Sequence, residues 1–186
     1  MTRFARLFRD GITTFALLAL IGLLALKMNN QPEAVKSGAF YAIDGDTLDQ
    51  RGERLRLLGI DSPEYRQQCE RGGSDWPCGR AARDMLVKLL AGGSVDCRGD
   101  KRDRYGRLLV TCRMGDTDIN GEMVLRGMAV SYGGYAAEQA KAREAKSGLW
   151  AGTFERPQDY RREAARVRDD PLGGVVDILK RLTIWD

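Results

Sequence analysis

Asp44, Asp46, Asp61 and Glu64 fall between residues 44 and 64, with Arg56 between the two pairs. They sit in two tight clusters, Ile43-Asp44-Gly45-Asp46-Thr47 and Arg56-Leu57-Leu58-Gly59-Ile60-Asp61-Ser62-Pro63-Glu64, about one β-hairpin apart. Carboxylate oxygens suit a hard divalent cation such as Ca²⁺, and a guanidinium suits a phosphate. A third cluster, Asp103-Arg104-Tyr105-Gly106-Arg107, supplies further arginines; residues 98–107 carry five basic side chains against two acidic. Tyr105 is placed there to stack on a base or sugar. Together these are the parts that phosphodiester hydrolysis needs. A carboxylate orients or deprotonates water, and a metal and guanidinium neutralise charge developing on the phosphate oxygens. Each part alone is ordinary. Asp-Gly is a turn dipeptide, Arg56 reads as a strand-surface arginine, and the third cluster reads as a solvated hairpin tip.

The elements that must position these groups follow from patterning. Three strand-like runs, Ala39–Ile43, Thr47–Arg51 and Arg54–Ile60, are separated by turn residues. After Pro63 a non-periodic loop over 65–79 leads into a helix from Gly79 to Ala91, whose Ala82, Met85, Leu86 and Leu89 fall at i, i+3, i+4, i+7. Ser94–Arg98 and Arg107–Arg113 read as a hairpin around the charged turn. Asp118–Arg126 reads as a short helix with Asp118 as N-cap, and Ala136–Ser147 as another closed by Gly148. Met128–Tyr132 between them is extended. This order predicts a small antiparallel barrel with about three packed helices over residues 38–151. Beyond Trp150 a charged helix over 159–168 and an apolar helical pattern over 172–185 form a C-terminal tail, residues 152–186.

The chain has 186 residues and a net charge of +4, enough for one well-packed domain. The excess is N-terminal: residues 1–37 carry five basic against two acidic side chains, 38–151 carry 18 against 17, and 152–186 seven against seven. Bulk charge therefore gives no argument for nucleic-acid binding. Arg3, Arg6 and Arg9 precede an apolar run from Gly11 to Leu26, closed by Lys27. Its sixteen residues span roughly 24 Å of helix against a roughly 30 Å hydrocarbon core, a deficit that snorkelling of Arg9 and Lys27 is expected to cover. The expectation is a transmembrane signal anchor over residues 1–28, contacting the membrane through 11–28, then a polar linker over 29–37. The positive-inside rule places the following domain on the periplasmic or extracellular side. A cleaved signal peptide, giving a secreted domain, is the alternative.

Cys69, Cys78, Cys97 and Cys112 are an even set with no C-x-x-C pair, and the chain has no histidine. Disulfides fit this better than zinc. Three connectivities exist; Cys69–Cys78 with Cys97–Cys112 is preferred because each closes a local loop, worth on the order of 3 kcal/mol in the chain-entropy model.

The three clusters, in this order, resemble those of the thermonuclease (staphylococcal nuclease) family. Ile119-Asn120, Gly127-Met128-Ala129 and Ala145-Lys146-Ser147-Gly148-Leu149-Trp150 are also similar to its C-terminal half, and the four cysteines look like those of exported bacterial members. The resemblance implies a mixed β/α fold, an OB-fold five-stranded β-barrel with its helices, here preceded by the N-terminal helix. It also implies Ca²⁺-dependent hydrolysis of DNA and RNA to products with 3′-phosphates. Asp46, Asp61 and the Ser62 carbonyl would hold Ca²⁺. Glu64 would act on the attacking water, Arg56 and Arg107 on the scissile phosphate, and Arg104 and Tyr105 on the nucleotide. Ser62 stands where threonine is usual and Arg104 where lysine is usual, and the second nucleotide-binding tyrosine falls among Tyr132–Tyr135. A monomer is expected. The alternative is a nuclease-like module that binds nucleic acid or protein without cleaving.

Overall fold

Apolar alternation builds the central sheet. In the computed structural model, which describes residues 3–29 and 33–169, the helix α1 (Arg3–Asn29) is followed by strands β1 (Ala34–Gly38), β2 (Tyr41–Ala42), β3 (Thr47–Gln50), β4 (Glu53–Leu57) and β5 (Ile60–Asp61). A small hairpin, β6 (Cys69–Arg71) and β7 (Ser74–Trp76), precedes helix α2 (Cys78–Leu90). Then come β8 (Val95–Arg102), β9 (Leu108–Met114), β10 (Thr117–Asp118), α3 (Ile119–Leu125), β11 (Val130–Ser131), α4 (Ala136–Glu144), a 3₁₀ turn (Gly148–Ala151) and α5 (Pro157–Asp169). The chain divides into two compact units, one ending at Ala34 and one beginning at Val35.

The main sheet runs β1-β8-β9-β4-β3-β2, with β10 added to β9. Leu48, Leu55, Leu57, Val95, Val110 and Cys112 point from alternate positions into a core completed by Leu86 of α2 and Ile119 and Met123 of α3. β4 and β9 pair in parallel, Leu55 opposite Leu108. Asn120, wholly buried, bridges the pair: its amide donates to the Leu58 and Val110 carbonyls and its oxygen accepts from the Cys112 N–H. A register shift between Arg98 and Lys101 bends β8. Gly99 lies at that shift because a Cβ there would come within 1.9 Å of the Leu109 carbonyl oxygen. Asp118 caps α3, accepting from the Gly121 N–H at 3.0 Å. Disulfides join Cys69 to Cys78 and Cys97 to Cys112; the second pair sits directly opposed across β8 and β9.

Three expectations are corrected. The sheet is an OB-like half-barrel with seven strands, where a five-stranded barrel was expected. Residues Ala34–Gly38, too short and mixed to show an apolar alternation, add an edge strand, and Gly59, at φ 80°, splits the third expected strand into β4 and β5. Five α-helices are present among the described residues, where about three packed helices preceded by an N-terminal one were expected; α5, read as part of a C-terminal tail, is the addition. Among the described residues no helix is long and apolar enough to cross a membrane. The single-pass anchor, the membrane contact through residues 11–28 and the localisation built on them therefore fall. The physical reason is length: snorkelling side chains extend a helix's reach without adding apolar residues to a run that is too short. The apolar pattern over 172–185 lies outside the described residues.

Candidate active site

The first carboxylate cluster is shaped by an Asx turn. Asp44 Oδ1 accepts from the backbone N–H groups of Asp46 and Thr47, at 2.9 and 2.7 Å, which aims Asp46 inward just before β3. Gly45 lets this turn lie against the neighbouring loop and α2; a Cβ there would come within 2.6 Å of Ser62 Cβ and 2.8 Å of Ala82 Cβ. Asp46 is buried, and its Oδ2 accepts from the Ser62 N–H at 2.6 Å. Arg56, directly opposite Thr47 on β4, forms ion pairs with both Asp46 and Asp61, the latter at 2.9 Å. Burial pushes the Asp46 carboxyl up to about 7; Arg56 and the Ser62 N–H pull against this, while Asp44 and Asp61 add to it.

The second half of the site is tied to the first through Thr47. Its hydroxyl accepts from Arg107 Nη1 and lies 3.3 Å from both that nitrogen and Asp46 Oδ1. Asp103 fixes Arg107, receiving its Nε at 2.8 Å, its Nη2 at 2.7 Å and its backbone N–H at 3.0 Å. Although burial works the other way, these bonds and that of the Tyr105 N–H hold the Asp103 carboxyl below its ordinary range. Arg104 and Arg107 both lie over the exposed Tyr105 ring, at 4.7 and 5.5 Å from its centroid.

Asp44, Asp46, Arg56, Asp61, Glu64, Arg104, Tyr105 and Arg107 all line one cleft of about 790 Å³. Ser62 lies behind it, buried, with its hydroxyl donating to the Met128 carbonyl at 3.1 Å. The tyrosine ambiguity separates cleanly. Tyr132 is exposed on the cleft wall, whereas Tyr135 turns away, packs on Gly59 and Gly121 and places its hydroxyl on Asp118. Its phenol is pushed up by burial and by that carboxylate.

Sequence reasoning missed two features. Gln67 is wholly buried and holds two segments of chain together: its Oε1 accepts from the Glu64 N–H at 3.2 Å, its backbone N–H donates to the Glu64 carbonyl at 2.7 Å, and its Nε2 donates to the Glu155 carbonyl at 2.7 Å. Glu64 is thereby fixed at its backbone, with α2 packed so closely that a Cβ on Gly79 would stand 1.7 Å from its carbonyl oxygen. The same amide docks the start of α5. That helix forms the far wall of the cleft through Gln158, Arg161, Arg162 and Ala165. Arg161 reaches the carboxylates, with Nη2 at 2.9 and 3.0 Å from the Asp61 oxygens and Nη1 at 3.0 Å from Glu64 Oε1. The charged pattern of α5 was readable; its return to the site was not.

Residues 54–152 match the family described as staphylococcal nuclease homologue. The chain belongs to that family. Among similar proteins, the succinoglycan biosynthesis protein ExoI of Rhizobium meliloti is 36% identical over 138 residues, 69% of this chain and 72% of its own. An uncharacterized endonuclease of Escherichia coli is 35% identical over 120 residues, 59% of this chain and 72% of its own. The staphylococcal-like nuclease CAN1 of Arabidopsis thaliana is 36% identical over 121 residues, 59% of this chain but only 33% of its own. The nuclease-family fold, and with it hydrolase potential, is shared across this segment. Arg161 lies beyond the segment the family match covers.

The donor set fits a hard cation. Asp46 and Asp61 offer carboxylate oxygens, and Asp46 is more crowded by negative charge and burial than its arginine partner offsets. The Arg161 guanidinium already stands on Asp61 and Glu64 as a cation would. Among the described residues no three His, Cys, Asp or Glu side chains converge closely enough to hold a metal by themselves, so a cation here would need backbone and water oxygens as well.

Proposed function

We propose that this chain is a Ca²⁺-dependent nuclease that hydrolyses phosphodiester bonds of DNA and RNA and leaves 3′-phosphate ends. The observation that carries this is the shared partner: Arg56 joins the Asp46 and Asp61 carboxylates in a cleft that Arg107 also lines, tied to Asp46 through the Thr47 hydroxyl. Asp46, Asp61 and the Ser62 carbonyl would hold Ca²⁺, which when bound supplies positive charge against the phosphate oxygens.

The chain's own groups divide the remaining work. Glu64, held at its backbone by Gln67, takes or orients the proton of the attacking water. Water oxygen bonds to phosphorus, the P–O5′ bond breaks, and the leaving 5′-oxygen takes a proton from solvent water to depart as the 5′-hydroxyl. Arg56 and Arg107 stabilise the extra charge on the phosphoryl oxygens, and their carboxylate and hydroxyl partners keep both guanidinia oriented before substrate arrives. Tyr105 and Tyr132, exposed on the cleft rim, offer faces for base stacking, and Arg104 a contact to a flanking phosphate.

Digestion of DNA and RNA in calcium or in chelator, with end-group analysis of the products, tests the reading. Cleavage is expected only with calcium, leaving 3′-phosphates. Glu64→Ala and Arg107→Ala are each expected to lose activity by about 100-fold or more. Full activity in chelator, or in the Arg107 variant, would overturn it.

A further inference from the structure

Helix α5 carries a feature that phosphodiester hydrolysis does not call for. Arg161 of α5 covers both oxygens of Asp61 and one oxygen of Glu64, the two carboxylates that metal binding and water activation need free. The contact is not a chance meeting of surface side chains. Gln67, wholly buried, ties the chain just before α5 to the backbone of Glu64 itself, so the helix and the acid share one support. Asp61 is buried and already has Arg56 as a partner; a second guanidinium there is the charge a cation would otherwise bring.

We infer that Arg161 and a divalent cation are alternative occupants of the Asp61 carboxylate, so that α5 is a built-in competitor that sets how tightly this site takes metal. The inference rests on the calcium reading above and concerns a residue outside the family-matched segment. Arg56 and Arg161 already both stand 2.9 Å from Asp61 Oδ1, so a divalent cation would bring a third centre of positive charge to that carboxylate at a large coulombic cost. Of the two guanidinia, Arg56 is the less exposed and is also paired with Asp46, whereas Arg161 is the more exposed. Metal binding must therefore move Arg161 off Asp61, and the free energy of that contact is subtracted from metal affinity. Once displaced, the guanidinium remains on the cleft wall, on the side where Arg162 also faces in.

Calorimetric titration of the full chain with calcium chloride, without substrate, tests this. Arg161→Gln is expected to bind calcium about tenfold more tightly than the parent, a coupling of ordinary size. Arg161→Lys, which keeps the charge, is expected to stay within about threefold. Arg166→Gln removes the same charge from the same helix at a residue paired with Glu163 instead, and is expected to bind as the parent does. Equal or weaker binding by Arg161→Gln overturns the inference, as does equal tightening by Arg166→Gln, which would make the effect one of net charge. If the parent and Arg161→Gln both fail to bind calcium, the calcium reading itself is overturned.

Discussion

Burial works against the charge of Asp46. Its folded carboxyl is raised from the ordinary range to about 7, chiefly by burial. An acid raised on folding binds its proton more readily in the native than in the unfolded chain. Its contribution to stability is therefore fully present below the unfolded value near 4 and is lost as pH rises through about 7. In chelator, thermal unfolding of the parent should show that decline. Asp46→Asn, which keeps the neutral form, should be more stable than the parent at pH 8 by on the order of 3 kcal/mol and no more stable at pH 4. Added calcium should erase the parent's deficit. Nothing in the sequence announced this: Ile43-Asp44-Gly45-Asp46-Thr47 showed a turn bearing two acids, but which acid would be buried depends on the Asx bonds of Asp44 and on Gly45 clearing Ser62.

At the scale of elements, local signals carried well where a single strand or helix decided the outcome. The α2 periodicity, the Asp118 cap and the hairpin opposing Cys97 to Cys112 are all written within short windows. What depended on distant chain was not. The parallel pairing of β4 with β9, stitched by Asn120, and the docking of α5 through Gln67 are contacts between segments far apart in sequence, and no local period encodes them. Gln67 gives the sharpest test. Gln67→Ala leaves the Glu155 carbonyl and the Glu64 N–H without their partner and should cost about 1–3 kcal/mol by urea denaturation. The α5 amides of that variant should also exchange with solvent faster than in the parent. Gly79→Ala should act more locally. Its Cβ collides with the Glu64 carbonyl, and the displaced acid should lower kcat by about 100-fold while calcium affinity, read by calorimetry, changes less.

For the whole molecule, charge is a matter of placement. The segment 38–151 is nearly neutral, yet the cleft gathers Arg54, Arg56, Arg104, Arg107, Arg161 and Arg162 against Asp44, Asp46, Asp61 and Glu64. Six cations against four anions leave a modest local excess, which a bound divalent ion would enlarge. Attraction for a polynucleotide should accordingly be short-ranged and sensitive to ionic strength. Arg162→Gln should lower the slope of log affinity for single-stranded DNA against log salt by about 0.7, one phosphate contact's share, when measured with calcium present. An unchanged slope would place the strand's path away from α5. The OB-like sheet was legible as a class from the order of strands and helices. Its openness was not, because closure depends on edge strands such as β1, whose short, mixed run carries no pattern to read.

The Cys69–Cys78 bridge closes a loop of nine residues' separation immediately after Glu64 and Gln67. That places a covalent link at the root of the amide that serves both the acid and the helix opposite it. Replacing Cys69 and Cys78 together by serine should therefore loosen Glu64 and α5, while the core around Leu48 and Val110, still crossed by the Cys97–Cys112 bridge, stays packed. Function would then fade before the fold does, and the molecule would work as designed only where its cysteines stay oxidised.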